Sequence, residues 1–390
     1  MADSEVIDDP YPVYARHRAA SPLSRGPAAT WIATRHRDVA ALLRDRRLSS
    51  QFPPDYYRFS AGAGAASAFF ARIILYRDPP AHTRLRQLLG QAFRMELVRA
   101  LEPRIRSLVD ELLQPALDSG RLDAVAELAL PLPVLVVSEL MGIPHADQKA
   151  IRPRALALGR GFAAVVPEAA RADANEAVDW LRDYLGALLE ERRRSPGSDL
   201  LSVMLAAEEG DDRLTHDEIV DNAVFSFFAG FETTANLIGT GCAALMQYPD
   251  QLARLREDRS LVQPAVEEFL RYDAPIQGVA RIARVPVEIG ERTIRAGRVL
   301  ILLLGSANRD ERVFSRPDQL DIGRDPNPHV SFGGGIHGCM GQALARIEAR
   351  IVCQRLLERF GKLVPAGDQI RQGNTSFRGY ASVPIATTAR

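Results

Sequence analysis

The chain has 390 residues, and its 49 lysines plus arginines equal its 49 aspartates plus glutamates, so its formal net charge at neutral pH is zero. That balance excludes a bulk attraction to nucleic acid or to an anionic membrane and leaves any charged partner to a local patch. With 46% apolar residues the chain can bury a sizeable core, and its three cysteines, Cys242, Cys339 and Cys353, have no C-x-x-C or disulfide-like spacing, which fits a reducing compartment.

Met1 to Pro12 is acidic and carries prolines, without the basic start or apolar run of a secretory signal, so a cytoplasmic protein is expected. Thr30 to Thr34 alternates like a strand. Phe52 to Tyr76 is aromatic at both ends and small in its middle, Ala61 to Ala68, a pattern that suits a mobile lid and equally a disordered segment. Apolar residues three and four apart predict helices over Met95–Leu117, Ala172–Arg193, His216–Gln247 and Gln342–Phe360. The most apolar stretches, Leu128 to Met141 and Val299 to Leu304, are too short or too broken by proline to cross a bilayer. Arg193 to Ser198 is the best loop candidate, but its flanks do not change in composition, so a single domain over 1–390 is expected. Strand-like alternation returns in Val285 to Leu303, around Gly290 and Gly297, and in the tail after Phe377. The expected class is mainly helical, α+β, with small sheets at the margin of a helical body.

The long predicted helix opens with a capping box, Thr215 and Glu218, and extends about 48 Å at 1.5 Å per residue. In its middle stands Ala229-Gly230-Phe231-Glu232-Thr233-Thr234. Threonine hydroxyls can bond the carbonyl four residues back and bend a helix, and glycine weakens it; close packing against a neighbour explains Ala229 and Gly230 equally well. Farther on, Phe332-Gly333-Gly334-Gly335-Ile336-His337-Gly338-Cys339-Met340-Gly341 is a glycine-dense loop running into the helix near Gln342. Such glycines let backbone approach something flat, and a cysteine at a helix N-terminus is favoured as thiolate. A lone cysteine is ordinarily a small buried hydrophobe, the reading for Cys242 and Cys353.

The loop resembles the haem-binding signature of the cytochrome P450 family, F-G-x-G-x-H-x-C-x-G, with all six fixed positions matched. The resemblance implies the family's fold, with haem b between the long helix and the cysteine loop, Cys339 as the iron ligand, and Phe332, Gly333, Gly335, Gly341, Ala229 and Gly230 against the cofactor. A thiolate ligand pushes electron density toward iron and favours O–O cleavage. The hexad is similar to the family's A/G-G-x-D/E-T, which makes Thr233 the alcohol that hydrogen-bonds dioxygen and Glu232 the acid that serves proton delivery. Glu268 and Arg271, three apart on one helix face, match its buried E-x-x-R pair. The third arginine of that network usually lies in a P-x-R-F-like stretch, whereas this chain reads Pro317-Asp318-Gln319-Leu320; Arg324 is the candidate replacement. Asp78-Pro79-Pro80-Ala81-His82-Thr83-Arg84-Leu85-Arg86 resembles the segment whose His and Arg bind a haem propionate. His82, Arg86, Arg281 and His337 are thus the expected propionate ligands.

The matches run from Asp78 to Gly341 in family order, and Ala307-Asn308-Arg309-Asp310 agrees with bacterial members. By the same resemblance, Phe225, Phe228, Ile276, Gln277, Val279, Ser376 and Phe377 line the substrate pocket. The implied activity is a dioxygen-dependent monooxygenase that hydroxylates, epoxidises, or oxidatively cyclises or couples a hydrophobic small molecule, free or carrier-bound, in bacterial secondary metabolism. The competing readings are the same fold using peroxide, against which Glu232 and Thr233 stand, and a non-catalytic recruitment module, against which Cys339 stands. The chain carries no flavin or iron–sulfur motif, so the implied partner is an external ferredoxin or flavodoxin with its NAD(P)H reductase, docking near Arg104, Arg106, Arg346 and Arg350. A monomer is expected, with neither nucleic acid nor membrane as partner.

Overall fold

The computed structural model describes residues 8–62, 64–162, 166, 168–206, 214–373 and 377–390. The chain gathers into two compact units, one built from Met1–Ser49, Leu101–Leu132 and Thr233–Arg390, the other from Ser50–Ala100 and Pro133–Glu232. Because the chain passes between them four times, no single loop, Arg193–Ser198 included, divides it into two continuous pieces.

The larger unit carries the sheets. Five strands run in the order Leu23–Arg25, Trp31–Ala33, Val299–Leu302, Val279–Ala283, Leu48–Ser49, with Trp31–Ala33 parallel to Val299–Leu302 and every other pairing antiparallel. Leu300 and Leu302 alternate inward and meet Trp31, Ala33, Val39, Leu42, Val287 and Ile294 in one apolar core. A second sheet orders Arg121–Asp123, Pro384–Ala389 and Phe360–Pro365, and its last strand follows directly on the helix Gln342–Arg359.

The smaller unit contains no strand among its described residues. Its helix Glu168–Arg194 buries Ala174, Ala177, Val178, Leu181, Leu185, Leu188 and Leu189, the three-and-four spacing that the sequence shows. This is the mainly helical α+β class expected.

The long helix, His216–Gln247, is shared by both units. Its capping box forms as read: the Thr215 N–H donates to Glu218 Oε2 at 3.0 Å, and the Glu218 N–H donates to Thr215 Oγ1 at 3.2 Å. The helix continues through Thr233 and Thr234 without a break, contrary to the bend their hydroxyls suggest. Gly230 has a packing reason instead, since a Cβ there would come within 2.9 Å of Val137.

Other expectations change. Met95–Leu117 is two helices, Met95–Ala100 and Glu102–Ser119, with Pro103 in the first turn of the second, where proline's missing N–H is harmless. The lid segment is neither bare loop nor disorder but two short helices, Pro54–Ala61 and Ala65–Arg72. The apolar stretch is longer than it looks, because a π-helical start at Ala124 leads into Pro131–Met141; Ala124–Met141 would by length and composition suffice to cross a membrane, yet it is 61% buried inside the protein. Replacing Thr215 by alanine removes one half of the capping box and is expected to lower stability by about 1 kcal/mol, read as a lower urea midpoint at unchanged slope.

Candidate functional site

Within the larger unit the glycine loop is held from one side. Asn308 Oδ1 accepts the Val330 N–H at 2.9 Å, Asn308 Nδ2 donates to Ser331 Oγ at 2.7 Å, and Ser331 Oγ donates to the Leu270 carbonyl at 2.7 Å. The loop then closes on itself through the Cys339 N–H, which donates to the Phe332 carbonyl at 2.9 Å. Gly333 and Gly335 take φ of +70° and +65°, the left-handed region where glycine is unstrained, and a Cβ on Gly335 would collide with the Leu43 carbonyl oxygen at 2.8 Å. His337 ends a single 3₁₀ turn, Gly335–His337. Gly341 caps the helix Gln342–Arg359, so Cys339 stands three residues before the first helical residue rather than inside the first turn. The residue is exposed, whereas Cys242 and Cys353 are buried, where desolvation pushes the Cys353 thiol up to about 12 and Cys242 higher still.

Behind the loop lies a buried ionic centre. The Glu268 carboxylate accepts from Arg271 Nε at 2.7 Å and Nη2 at 2.8 Å, and both side chains are fully buried. Arg324 Nε donates to both Glu268 oxygens at 3.2 and 3.1 Å, so the third cation does come from Arg324. Gln319 contributes its backbone: its carbonyl accepts from Arg271 at 3.2 Å and from Arg324 at 3.3 Å. A neighbouring pair links the same helix to the cysteine side: Glu267 is held by Arg346 at 2.7 and 2.9 Å and by His329 at 2.9 Å, with the Arg346 guanidinium 4.3 Å over the Phe332 ring. Burial works against ionisation of Glu267, but the hydrogen bonds from His329 and Arg346 prevail and hold its carboxyl at about 2. Asn308, Glu267, His329 and Arg346 were not legible as a set, because their contacts span up to 79 residues.

Arg281 sits in the strand Val279–Ala283 directly opposite Leu300; the residue is 7% exposed, and its Nη1 donates to the Ala280 carbonyl at 2.8 Å.

In the helical unit, His82 and Arg86 lie one turn apart on Ala81–Gly90, and burial, then the adjacent Arg86 charge, lower the His82 pKa. The long helix supplies the remaining residues. From Glu218 to Met246 every residue is buried except Phe225, Ser226, Ala229, Gly230 and Thr233, which recur at helical spacing as one open stripe. Glu232 lies off that stripe, 6% exposed.

The pocket candidates divide. Phe228 stacks on Phe162 at 4.9 Å and 8°, and Phe70 meets Phe162 edge-on at 4.7 Å, so the lid segment and the long helix share one aromatic cluster that includes Phe225. Phe70 and Phe162 carry no local signal for this role. Ile276 pairs with Phe377 in an isolated bridge, and Ile276 and Val279 pack against the sheet core. Gln277 is buried, lies against Gly305 and donates to the Ala274 carbonyl at 2.8 Å. Ser376 lies outside the described residues. A polar cavity of about 530 Å³ in the larger unit, lined in part by Tyr11, Asp273, Arg309, Arg371 and Arg378, includes none of the expected site residues.

The residues fit a haem. Among the described residues no cluster of three His, Cys, Asp or Glu could hold a bare metal ion, whereas in the larger unit an exposed thiol on a loop of left-handed glycines suits a flat macrocycle that brings its own iron.

The family model for cytochrome P450 matches residues 22–384, and the chain belongs to that family of oxidoreductases. It is 38% identical to the cytochrome P450 monooxygenase PikC of Streptomyces venezuelae, over 97% of this chain and 91% of that protein. It is 39% identical to nocardicin C N-oxygenase of Nocardia uniformis, over 97% and 95%. Among solved structures, P450BioI in complex with hexadec-9Z-enoic acid ligated acyl carrier protein superposes with a TM-score of 0.94 at 33% identity, covering 99% of this chain and all of that one.

Two outcomes follow. Glu268→Ala leaves Arg271 and Arg324 buried without their carboxylate and should cost about 3–5 kcal/mol, seen as loss of soluble protein or a collapse of the melting temperature. Glu267, at about 2 when folded against an ordinary 4.5, contributes stability that is present above pH 4.5 and is lost as pH falls toward 2. Glu267→Gln should flatten the acid limb of a urea-midpoint profile across that window.

Proposed function

We propose that this P450 is a haem-thiolate monooxygenase in which Cys339 binds the iron and a hydrophobic small molecule is oxidised. The observation that carries the reading is Cys339 itself, the exposed cysteine of the three, its N–H bonded to the Phe332 carbonyl in a loop that turns through the left-handed Gly333 and Gly335. Haem, when bound, supplies the dioxygen-activating chemistry. The chain's residues prepare its surroundings. His82, Arg86, Arg281 and His337 neutralise the propionates, and Ala229 and Gly230 let a flat group approach the long helix. Thr233, on the open stripe, would offer a hydroxyl as hydrogen-bond donor, while Glu232, on the buried side of the same turn, would hold a proton away from bulk water.

The substrate is apolar, in keeping with the Phe70, Phe162, Phe225 and Phe228 cluster. It is a metabolite of bacterial secondary metabolism, as the kinship to PikC and nocardicin C N-oxygenase suggests. The acyl-carrier complex of P450BioI makes a carrier-bound substrate as natural as a free one. We take the protein to act in the cytoplasm as a monomeric single domain, receiving electrons from a ferredoxin or flavodoxin. The cations assigned to that partner are engaged within the chain: Arg346 with Glu267, Arg350 with Glu102 at 2.8 Å, Arg104 with Glu111 at 3.1 Å, and Arg106 with Gln354 at 3.3 Å. An acidic partner therefore competes with the chain's own acceptors, which favours transient docking.

The dithionite-reduced protein under carbon monoxide should show a strongly red-shifted Soret band that disappears in Cys339→Ala; a wild type without it ends the thiolate reading. Reversing Arg104 and Arg106 to glutamate should slow reduction by a ferredoxin several-fold at low salt and little at high salt, and an unchanged rate at low salt would remove this face as the docking site.

A further inference from the structure

The helix that follows Cys339 ends, 18 residues on, at a second concentration of cations. Arg256 Nη1 donates to the Phe360 carbonyl at 2.9 Å, and Arg259 Nη2 to the Leu357 carbonyl at 3.2 Å. Arg359 belongs to the same turn; its Nη2 donates to Gln114 Oε1 at 3.3 Å, and the Arg390 N–H donates to the Arg359 carbonyl at 3.0 Å. Four arginines from three separate parts of the chain thus lie around one helix terminus, all within the larger unit.

Part of this is helix capping. The last carbonyls of a helix lack intrahelical partners and welcome cations, which accounts for one N–H group each of Arg256 and Arg259. It does not account for the rest. Arg256 Nη2, Arg259 Nη1 and Arg359 Nε are buried donors with no hydrogen-bond partner among the described residues. Carboxylates are scarce as well. Glu358, the one acid of that turn, is engaged by Arg355, with Arg106 at 3.9 Å. Burial, then the neighbouring guanidinium charges, lower the pKa of Arg256 and of Arg259; Glu358 opposes this at Arg259, and no acid does so at Arg256. Buried donors with excess positive charge are a costly arrangement unless an anion completes it.

We propose that Arg256, Arg259, Arg359 and Arg390 form a binding site for a small phosphate-class oxyanion, inorganic phosphate or pyrophosphate. The planar fork of a guanidinium matches tetrahedral oxygens in pairs, and several converging forks suit a multiply charged oxyanion better than a single carboxylate. The helix is about 27 Å long at 1.5 Å per residue, so the site stands at the end remote from Cys339. Its occupancy would brace the junction of that helix with the strand Phe360–Pro365 without touching the chemistry.

The test is calorimetric titration of the purified holoprotein with pyrophosphate and with orthophosphate, at ionic strength held constant with sodium chloride, beside thermal melts in the same buffers. Saturable binding is expected, with pyrophosphate the tighter of the two, together with a melting temperature raised by about 1–3 °C at saturation relative to the chloride control. Affinity should fall on the order of tenfold or more in Arg256→Gln/Arg259→Gln. Should that double variant fail to fold, Arg390→Gln, whose side chain is exposed, should still weaken binding several-fold. Binding no stronger than chloride's at matched ionic strength, or affinities unchanged in the variants that fold, would overturn the proposal.

Discussion

The structure of the larger unit depends on one buried carboxylate. Glu268 is fully buried, and an isolated ionised carboxyl in that position would be prohibitive. Two guanidiniums, a backbone N–H from Asp321 at 2.9 Å and the Asn327 amide at 3.2 Å surround it. Because Arg271 in turn donates to the carbonyls of Asn308, Pro317 and Gln319, the charge pair gathers two segments, one at Asn308 and one at Pro317–Gln319, whose carbonyls it satisfies. The cysteine loop inherits its position from this gathering: Asn308, fixed from its carbonyl side by Arg271, holds Val330 and Ser331 from its amide side. Geometry at the thiol therefore begins at a residue that a sequence presents as an ordinary surface i,i+3 pair.

The same construction explains why some of the site could be read in the sequence and some could not. Local constraints were legible. The Thr215 and Glu218 box, the glycines at 333 and 335 and the His82 and Arg86 spacing each follow from what a short stretch of backbone permits. The long helix was legible to its ends, since apolar periodicity over 32 residues leaves few alternatives. Contacts between distant segments were not. Whether Arg324 would replace the missing arginine depended on a loop trajectory, and Gln319 turned out to contribute by its carbonyl, which no side-chain pattern can signal. The contacts of Gln277 with Gly305 and the Ala274 carbonyl likewise carry no signal in its side-chain type. The lid became two helices because its small residues, poor at marking an apolar face, are nonetheless compatible with helix.

Burial on the long helix adds a separate line of argument. A helix crossing a core is expected to be buried on all sides, and from Glu218 to Met246 this one is, apart from five residues. Those five include the two smallest of the hexad and the threonine, but not the glutamate. An alcohol on the accessible line and an acid just off it is an arrangement in keeping with the proposed roles, in which Glu232 would stay shielded while the Thr233 hydroxyl stays accessible.

The choice of cation ties these features together. Of the 49 basic residues only Lys149 and Lys362 are lysine. The structure uses what lysine lacks, a planar fork able to serve a carboxylate and a carbonyl at once. Arg271 and Arg324 do both around Glu268; Arg309 donates to the Tyr272 carbonyl at 2.6 Å while lying 4.0 Å over Tyr11 and 3.9 Å over Tyr272. In each case the guanidinium terminates irregular backbone that no helix or sheet satisfies, and its remaining donors find a carboxylate or a ring. Around Arg256 and Arg259 the carbonyls are present, but the nearby Glu358 opposes the positive charge at Arg259 alone and is itself engaged by Arg355. An anion from solution is the proposed occupant there.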